Sequence, residues 1–250
     1  MLSVKIDFLP ESAAKYRTGY TVVVVDVVRA TTTAITAAFT GRRCFPVATV
    51  AEALALSALL DNPVLAGEQA GIVPQGFELN NSPATLAGLG SIERPLILLS
   101  SAGTKLCRNA AACDEAQLAC LRNVEATAID LARRTRKVVL IGAGTRGEFR
   151  EEDEMCCAWI AERLLDLGYR PEDQDTLNYV KRWSGAPADS WTTGKSAAYL
   201  RRSGQLRDLE FVLTHVDDLQ CAFPLRYGEV FLETVPSLKV PVAARDMISA

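Results

Sequence analysis

Apolar residues along this chain fall into two alternating spacings. Unbroken apolar runs at 22–25, 96–99 and 138–141 are short and rich in valine, leucine and isoleucine. Such runs predict strands buried on both faces, the habit of parallel sheets. Shorter strand candidates lie at 4–8, 44–47, 63–68 and 117–121. Between them the apolar positions recur at helical spacing. Ile35, Ala38 and Phe39 mark one helix closed by Gly41, and Thr49 with Glu52 three residues on has the capping-box spacing for a helix running to about Leu60. Further helices are predicted up to Ala112, over 124–133 behind Asn123, and over 155–167. Strand and helix alternate through most of the chain, which predicts a three-layer α/β/α fold with a mainly parallel sheet. The expectation is a single α/β unit over 1–250, with two lobes dividing near 115–135 as the alternative. Segments 22–38 and 96–112 share a layout of apolar strand, hydroxyl-rich turn and alanine-rich helix, so two similar subdomains are a further expectation. Beyond Gly168 helices are predicted at 175–183 and 195–202 around a loop at 184–194, with late strands or an extended arm at 221–225 and 229–235.

Composition narrows the function more than the fold. The 250 residues carry a net charge of -3 and only 7% aromatics, which is no footprint for nucleic acid. No apolar run approaches the roughly 20 residues of a membrane span, and the first residues lack the pattern of a signal peptide. Seven cysteines (44, 107, 113, 120, 156, 157 and 221) form no C-x-x-C pair, and His215 is the sole histidine. That predicts reduced thiols in a cytoplasmic protein, a structural role for His215, and no zinc site. A bound metal is expected to be hard and oxygen-ligated, such as magnesium.

The candidate chemistry sits where strands end. Asp26 closes the four-valine run and is followed by Arg29, Thr31, Thr32 and Thr33 on the way into a helix. In α/β sheets ligands bind outside the carboxyl ends of strands, often at a helix N-terminus. An N-capping carboxylate is the plainer reading of Asp26, although burying a lone charge at the end of an apolar strand is costly. Glu68 ends the short strand at 63–68, with a surface loop residue as its plainer reading. A long loop over 71–83 ends in Asn81, Ser82 as an N-cap, and Pro83 at the first helical position. The strand at 95–100 runs into Ser101, Ala102, Gly103 and Thr104, small residues whose N–H groups suit an anion. Gly142, Gly144 and Gly147 match G-x-G-x-x-G, but charged residues follow where a dinucleotide site needs the apolar start of a helix. This segment is read instead as a flexible turn at the ligand edge. Glu151, Glu152, Asp153 and Glu154 then open a helix, where acids are favourable, and one of them can join Asp26 at a metal.

Four blocks come in order: Asp26-Val27-Val28-Arg29-Ala30-Thr31-Thr32-Thr33, then Gly76 through Pro83, Ser100-Ser101-Ala102-Gly103-Thr104, and Gly144 through Asp153. This series resembles the 2-phosphosulfolactate phosphatase family, most specifically in the first block and most fully over residues 20–160. The resemblance implies a magnesium-dependent phosphatase releasing phosphate from 2-phospho-3-sulfolactate to give 3-sulfolactate for coenzyme M synthesis. Three places depart from the family pattern. Gln69-Ala70 stands where arginine and glycine are expected, Ala102 stands in an expected Asn-Gly-Thr turn, and 196–200 lacks a His-Gly pair. These leave the fold expectation intact and bear on the substrate.

With the resemblance in hand, Asp26, Glu68 and Asp153 are the candidate magnesium shell. Asp26, Arg29, Thr31 and Thr32 are the candidate catalytic set, and Arg29 with the 31–33 turn would hold phosphate oxygens. Thr33, Asn81, Ser82, Ser101, Gly103, Thr104, Gly144, Arg146 and Gly147 are the candidate substrate-binding set, with Ser101 to Thr104, Asn81 and Arg146 available to a second anion. The expected partner is a small anionic phosphoester, with no nucleic acid and no membrane; a homo-oligomer is left open. A haloacid-dehalogenase-type site needs a second Asp where Val28 stands, and Cys157 with Arg163 has the count of a cysteine phosphatase but inside a helix. The rival readings are a non-catalytic protein of the same fold that binds a small anion, and a related phosphatase with a different substrate.

Overall fold

The structure, a computed structural model, describes residues 1–90, 92–145 and 147–236. The elements run in chain order as β1 (Ser3–Phe8), β2 (Thr21–Val25), α1 (Ala30–Phe39), β3 (Cys44–Val47), α2 (Val50–Ser57), β4 (Val64–Gly67), α3 (Pro83–Ala87), β5 (Leu96–Leu99) and α4 (Gly103–Ala110). They continue as β6 (Glu115–Ala119), α5 (Val124–Arg134), β7 (Lys137–Gly142), α6 (Glu151–Asp166), β8 (Arg170–Pro171), α7 (Gln174–Trp183), α8 (Lys195–Arg202), α9 (Leu206–Thr214), β9 (Cys221–Arg226), β10 (Glu229–Val230) and β11 (Glu233–Thr234). The fold is mixed α/β around a large, mostly parallel sheet, as the alternation predicts.

Local chemistry accounts for the boundaries. Thr49 Oγ1 accepts the Glu52 N–H and Ser82 Oγ accepts the Thr85 N–H, so these two predicted N-caps close their helices, whereas the Asn123 side chain turns back to the Cys120 N–H and caps no N–H of α5. Helix α1 is built from alanine and threonine and is buried along its length except at Phe39, small side chains that let it sit between sheet and neighbouring helices. Helix α9 is absent from the sequence expectations. Its buried Leu209 and Val212 are three apart, too short a stripe to stand out beside exposed Leu206.

The sheet runs β4-β5-β3-β10-β9-β6-β2-β7-β1-β8, with β11 beside β9. Strands β4, β5 and β3 are mutually parallel, and so are β6, β2, β7, β1 and β8. The β9–β10 hairpin joins the two blocks through antiparallel pairings, the last being Val230 with Cys44. Three reversals in succession leave the blocks pointing opposite ways. On a flat sheet the carboxyl ends of β2 and β5 would therefore lie at opposite edges. They converge instead, because the sheet curls around α1 and α4. One core cluster joins Val22 and Val24 of β2, Leu96 and Leu98 of β5, Ile35 of α1 and Leu106 of α4. The alternate residues Val23 and Val25 face a second core with Leu140, Met155, Ile160 and Trp191.

Candidate active site

The β2–α1 turn is held by its own hydroxyls. The Asp26 N–H donates to Thr31 Oγ1 at 2.9 Å, and Thr31 Oγ1 donates back to the Asp26 carbonyl at 2.8 Å. Thr32 Oγ1 donates to the Val27 carbonyl at 2.8 Å. Both hydroxyl protons are thus spent on main chain, so Thr31 and Thr32 shape the turn. Thr33 Oγ1 is buried and has no partner. The Asp26 side chain is buried and accepts the Ala30 N–H at 3.2 Å. Burial pushes its carboxyl up to about 6, with Glu68 adding to the shift while the N–H groups of Ala30 and Gly103 and the Arg29 charge oppose it.

The β5–α4 turn closes against Asp26 from the other block. A Cβ on Gly103 would lie 2.1 Å from Asp26 Oδ2 and 2.6 Å from Ala30 Cβ, so only glycine admits this approach. Ser101 binds Glu68 twice, through N–H to Oε1 at 2.8 Å and through Oγ to Oε2 at 3.0 Å, and Glu68 Oε2 also accepts the Gly71 N–H at 2.6 Å. Gly67, at φ +153, brings Glu68 into this position, where a Cβ would meet the Leu99 carbonyl at 2.2 Å.

The third wall is the start of α6. Asp153 Oδ1 accepts the Val27 N–H at 2.8 Å and Oδ2 the Gly144 N–H at 3.3 Å, which fastens the β7 turn to the residue after Asp26. Burial, then Asp26, then Glu152 raise the Asp153 carboxyl well above its usual range. Burial likewise lifts Glu152 to about 7 despite a hydrogen bond from Ser196, with Asp26 contributing. Glu154 serves the fold, accepting from Arg182 Nη1 and Trp183 Nε1, both at 2.8 Å. The four acids at this helix start therefore do different jobs, which position in the helix alone does not reveal.

Arg29 leads away from Asp26 to residues outside the sequence expectations. Its side chain and that of Asp208 are each 4% exposed, and Nη1 donates to Asp208 Oδ2 at 2.5 Å. Arg29 Nη2 reaches Asn80 Oδ1 at 3.4 Å. Asp208 Oδ1 accepts Ser82 Oγ at 2.6 Å, and Asn80 Nδ2 donates to Gln205 Oε1 at 3.3 Å. Asp208 and Gln205 are not among the sequence expectations, whereas Glu152 is one of the four acids expected near a metal and Ser196 opens the segment that lacks a His-Gly pair. The signal available was weak, a short amphipathic helix in a part of the chain with no glycine-rich turn.

The structure thus brings Asp26, Arg29, Glu68, Ser101, Gly103, Gly144 and Asp153 into one connected site. Thr104 lies behind it, with its hydroxyl on the Ser100 backbone. Asn81 is buried with an unpartnered Oδ1 at the start of α3. Gly147 is exposed at φ +81. Arg146 lies outside the described residues. Among the described residues no group of three or more His, Cys, Asp or Glu side chains is close enough to hold a metal ion. Asp26, Glu68 and Asp153 therefore form no closed cage, and the oxygens of Glu68 and Asp153 are already engaged by N–H and O–H donors. No helix among the described residues is long and apolar enough to cross a membrane. The seven cysteines are free, and His215 stacks on Phe211 at the end of α9.

Comparison with known proteins gives a consistent picture. A family model described as 2-phosphosulpholactate phosphatase matches residues 7–221. A probable 2-phosphosulfolactate phosphatase of Caldanaerobacter subterraneus subsp. tengcongensis is 32% identical over 215 residues, 84% of this chain and 89% of the relative. One from Carboxydothermus hydrogenoformans is 32% identical over 212 residues, covering 83% and 88% of the two chains. One from Deinococcus radiodurans is 30% identical over 215 residues, covering 84% and 88%.

Proposed function

The chain belongs to the 2-phosphosulfolactate phosphatase family, and from that premise we propose that it hydrolyses 2-phospho-3-sulfolactate to 3-sulfolactate and phosphate. It is a phosphoric monoester hydrolase by family. The observation that supports the reading best is the pairing of opposite charges on one buried turn. Asp26 and Arg29 sit three residues apart, with N–H donors of the β5–α4 turn beside them. A phosphomonoester needs its charge met and its leaving oxygen stabilised, and a site with a carboxylate, a guanidinium and oriented N–H dipoles can do both.

Magnesium remains part of the proposal in a changed form. The ion commonly takes one or two carboxylates and fills its shell with water and substrate oxygens, so it does not require a closed cage. Asp26 fits as its main protein ligand, since it lies among buried acids whose carboxyls are raised by burial and by mutual repulsion, and a cation would relieve that repulsion. When bound, it would supply neutralisation of phosphoryl and leaving-group charge. Arg29 would orient the phosphoryl group, Asp153 would hold the Val27 and Gly144 main chain in place, and Ser101 with Asn81 would face the sulfonate or carboxylate. The product would feed coenzyme M synthesis in the cytoplasm.

Phosphate release from 2-phospho-3-sulfolactate, with and without magnesium, tests this reading. Release that needs magnesium is expected, faster on phosphosulfolactate or phospholactate than on simple alkyl phosphates. Equal rates on both substrate types would remove the second anion site. Ligand binding without any release would favour a non-catalytic anion-binding protein of the same fold.

A further inference from the structure

We propose that Asp208 is a positioning residue that sets Arg29 for the phosphoester, through a buried brace built on the first turn of α9; this rests on the phosphatase reading above. The brace ties together two motif blocks far apart in sequence. Asp208 Oδ2 takes Arg29 Nη1, while its Oδ1 takes Ser82 Oγ at 2.6 Å and the Ala84 N–H at 3.3 Å. Gln205, three residues earlier, accepts from Asn80, whose own Oδ1 faces Arg29 Nη2. One turn of helix therefore grips Arg29 and the 80–84 segment together.

A stabilising role alone explains this poorly. Burying an ion pair costs desolvation that its attraction often fails to repay, so such a pair is weak evidence of added stability. What it does supply is geometry, because a planar guanidinium held at one edge keeps its remaining N–H groups in a fixed direction. Arg29 already acts on Asp26 electrostatically, lowering the proton affinity of its carboxyl. Asp208 is the competing anion that holds the guanidinium through Nη1. Without it, Arg29 would lean toward Asp26 and the two charges would quench each other.

Turnover of phosphosulfolactate, inhibition by inorganic phosphate and phosphate binding by calorimetry together test the idea. Asp208→Asn removes the charge at constant size, and Asp208→Glu keeps the charge but displaces it. Each should lower kcat/KM about 10²-fold, the scale of a roughly 1 Å misplacement, mostly in kcat, and weaken phosphate binding. Because Asp208 acts through Arg29, Arg29→Met with Asp208→Asn should be no slower than Arg29→Met alone. A multiplicative loss in the double variant, or Asp208→Asn within about threefold of the native rate, would overturn the proposal. Near-UV circular dichroism checks folding. Should Asp208→Asn unfold, full activity in Asp208→Glu would overturn it equally. A native protein that turns over no phosphoester defeats the phosphatase reading instead, and the calorimetric phosphate affinities of the same variants still decide the role of Asp208.

Discussion

The β2–α1 and β5–α4 turns share one scaffold and differ in what it carries. In the first, the Asp26 N–H and carbonyl are both strapped to Thr31 Oγ1, at 2.9 and 2.8 Å. In the second, the Ser100 N–H and carbonyl are both strapped to Thr104 Oγ1, at 2.8 and 3.0 Å. The side chains repeat the match, since Asp26 accepts the Ala30 N–H at 3.2 Å and Ser100 Oγ accepts the Thr104 N–H at 3.0 Å. Yet one turn places a buried carboxylate and a guanidinium, and the other a neutral hydroxyl and a glycine that makes room for that carboxylate. The strap is a means of presenting a strand end, and on the proposed function the charge on the first residue would decide which turn does chemistry.

The largest effect should come from exchanging that first residue. Asp26→Asn is expected to lower kcat/KM on the order of 10³-fold, the upper range for losing one preorganised electrostatic group. Ser100→Ala should cost less than about tenfold, since it removes only a neutral hydrogen bond. If Asp26 is a magnesium ligand, the Asn variant should bind magnesium more weakly and recover part of its rate at high magnesium. A variant dead at every magnesium concentration that binds the ion normally, or a phosphate trapped on Asp26 in the native enzyme, would make Asp26 the nucleophile.

Much of this comparison is legible in the sequence alone. The apolar runs at β2, β5 and β7 gave the strands, and Thr49, Ser82 and Pro83 gave helix starts, because these signals are local. The meeting of Asp26 with Gly103 was expected as a shared strand edge. What produces it is a curled sheet with its two blocks reversed, and that depends on the antiparallel pairings of β9 and β10, which an expectation of strands at 221–225 and 229–235 does not fix. The brace from α9 was invisible for a related reason. Asp208 sits 179 residues from Arg29, and one aspartate near a helix start looks like many others.

The buried acids around the first turn, unlike the neutral Ser100 of the second, should make stability depend on pH near neutrality. Asp26 and Glu152 are raised to about 6 and about 7, and Asp153 is raised well above its usual range. Acids with raised native values bind protons more tightly folded than unfolded, so their contribution falls as pH climbs from about 4 through 7. For Asp26 the difference is on the order of 3 kcal/mol, at about 1.4 kcal/mol per unit. Urea unfolding in magnesium-free buffer should show stability declining over this range. Asp26→Asn should flatten the decline, and Ser100→Ala should leave its slope unchanged. A slope indifferent to Asp26→Asn would mean that burial does not raise the Asp26 carboxyl in the folded protein.

The smallest effects test the scaffold itself. Thr31→Val and Thr104→Val preserve shape and delete each strap, leaving one buried N–H and one carbonyl without their hydroxyl partner. Each should cost about 1–3 kcal/mol by urea unfolding, the penalty for an unsatisfied buried group. Similar losses from both would support one scaffold used twice. The kinetics should still part. Thr31 holds the main chain of Asp26, so its loss should fall on kcat, by about tenfold, as expected when a reacting group is loosened. Thr104 holds the strand end that presents Ser101, and Ser101 in turn holds Glu68 and the Ala70 N–H at the mouth. Its loss should therefore appear as a higher KM with kcat within about threefold of native. A kcat defect of equal size in both variants would show that the second turn takes part in the chemical step, and the division of labour between the two turns would have to be abandoned.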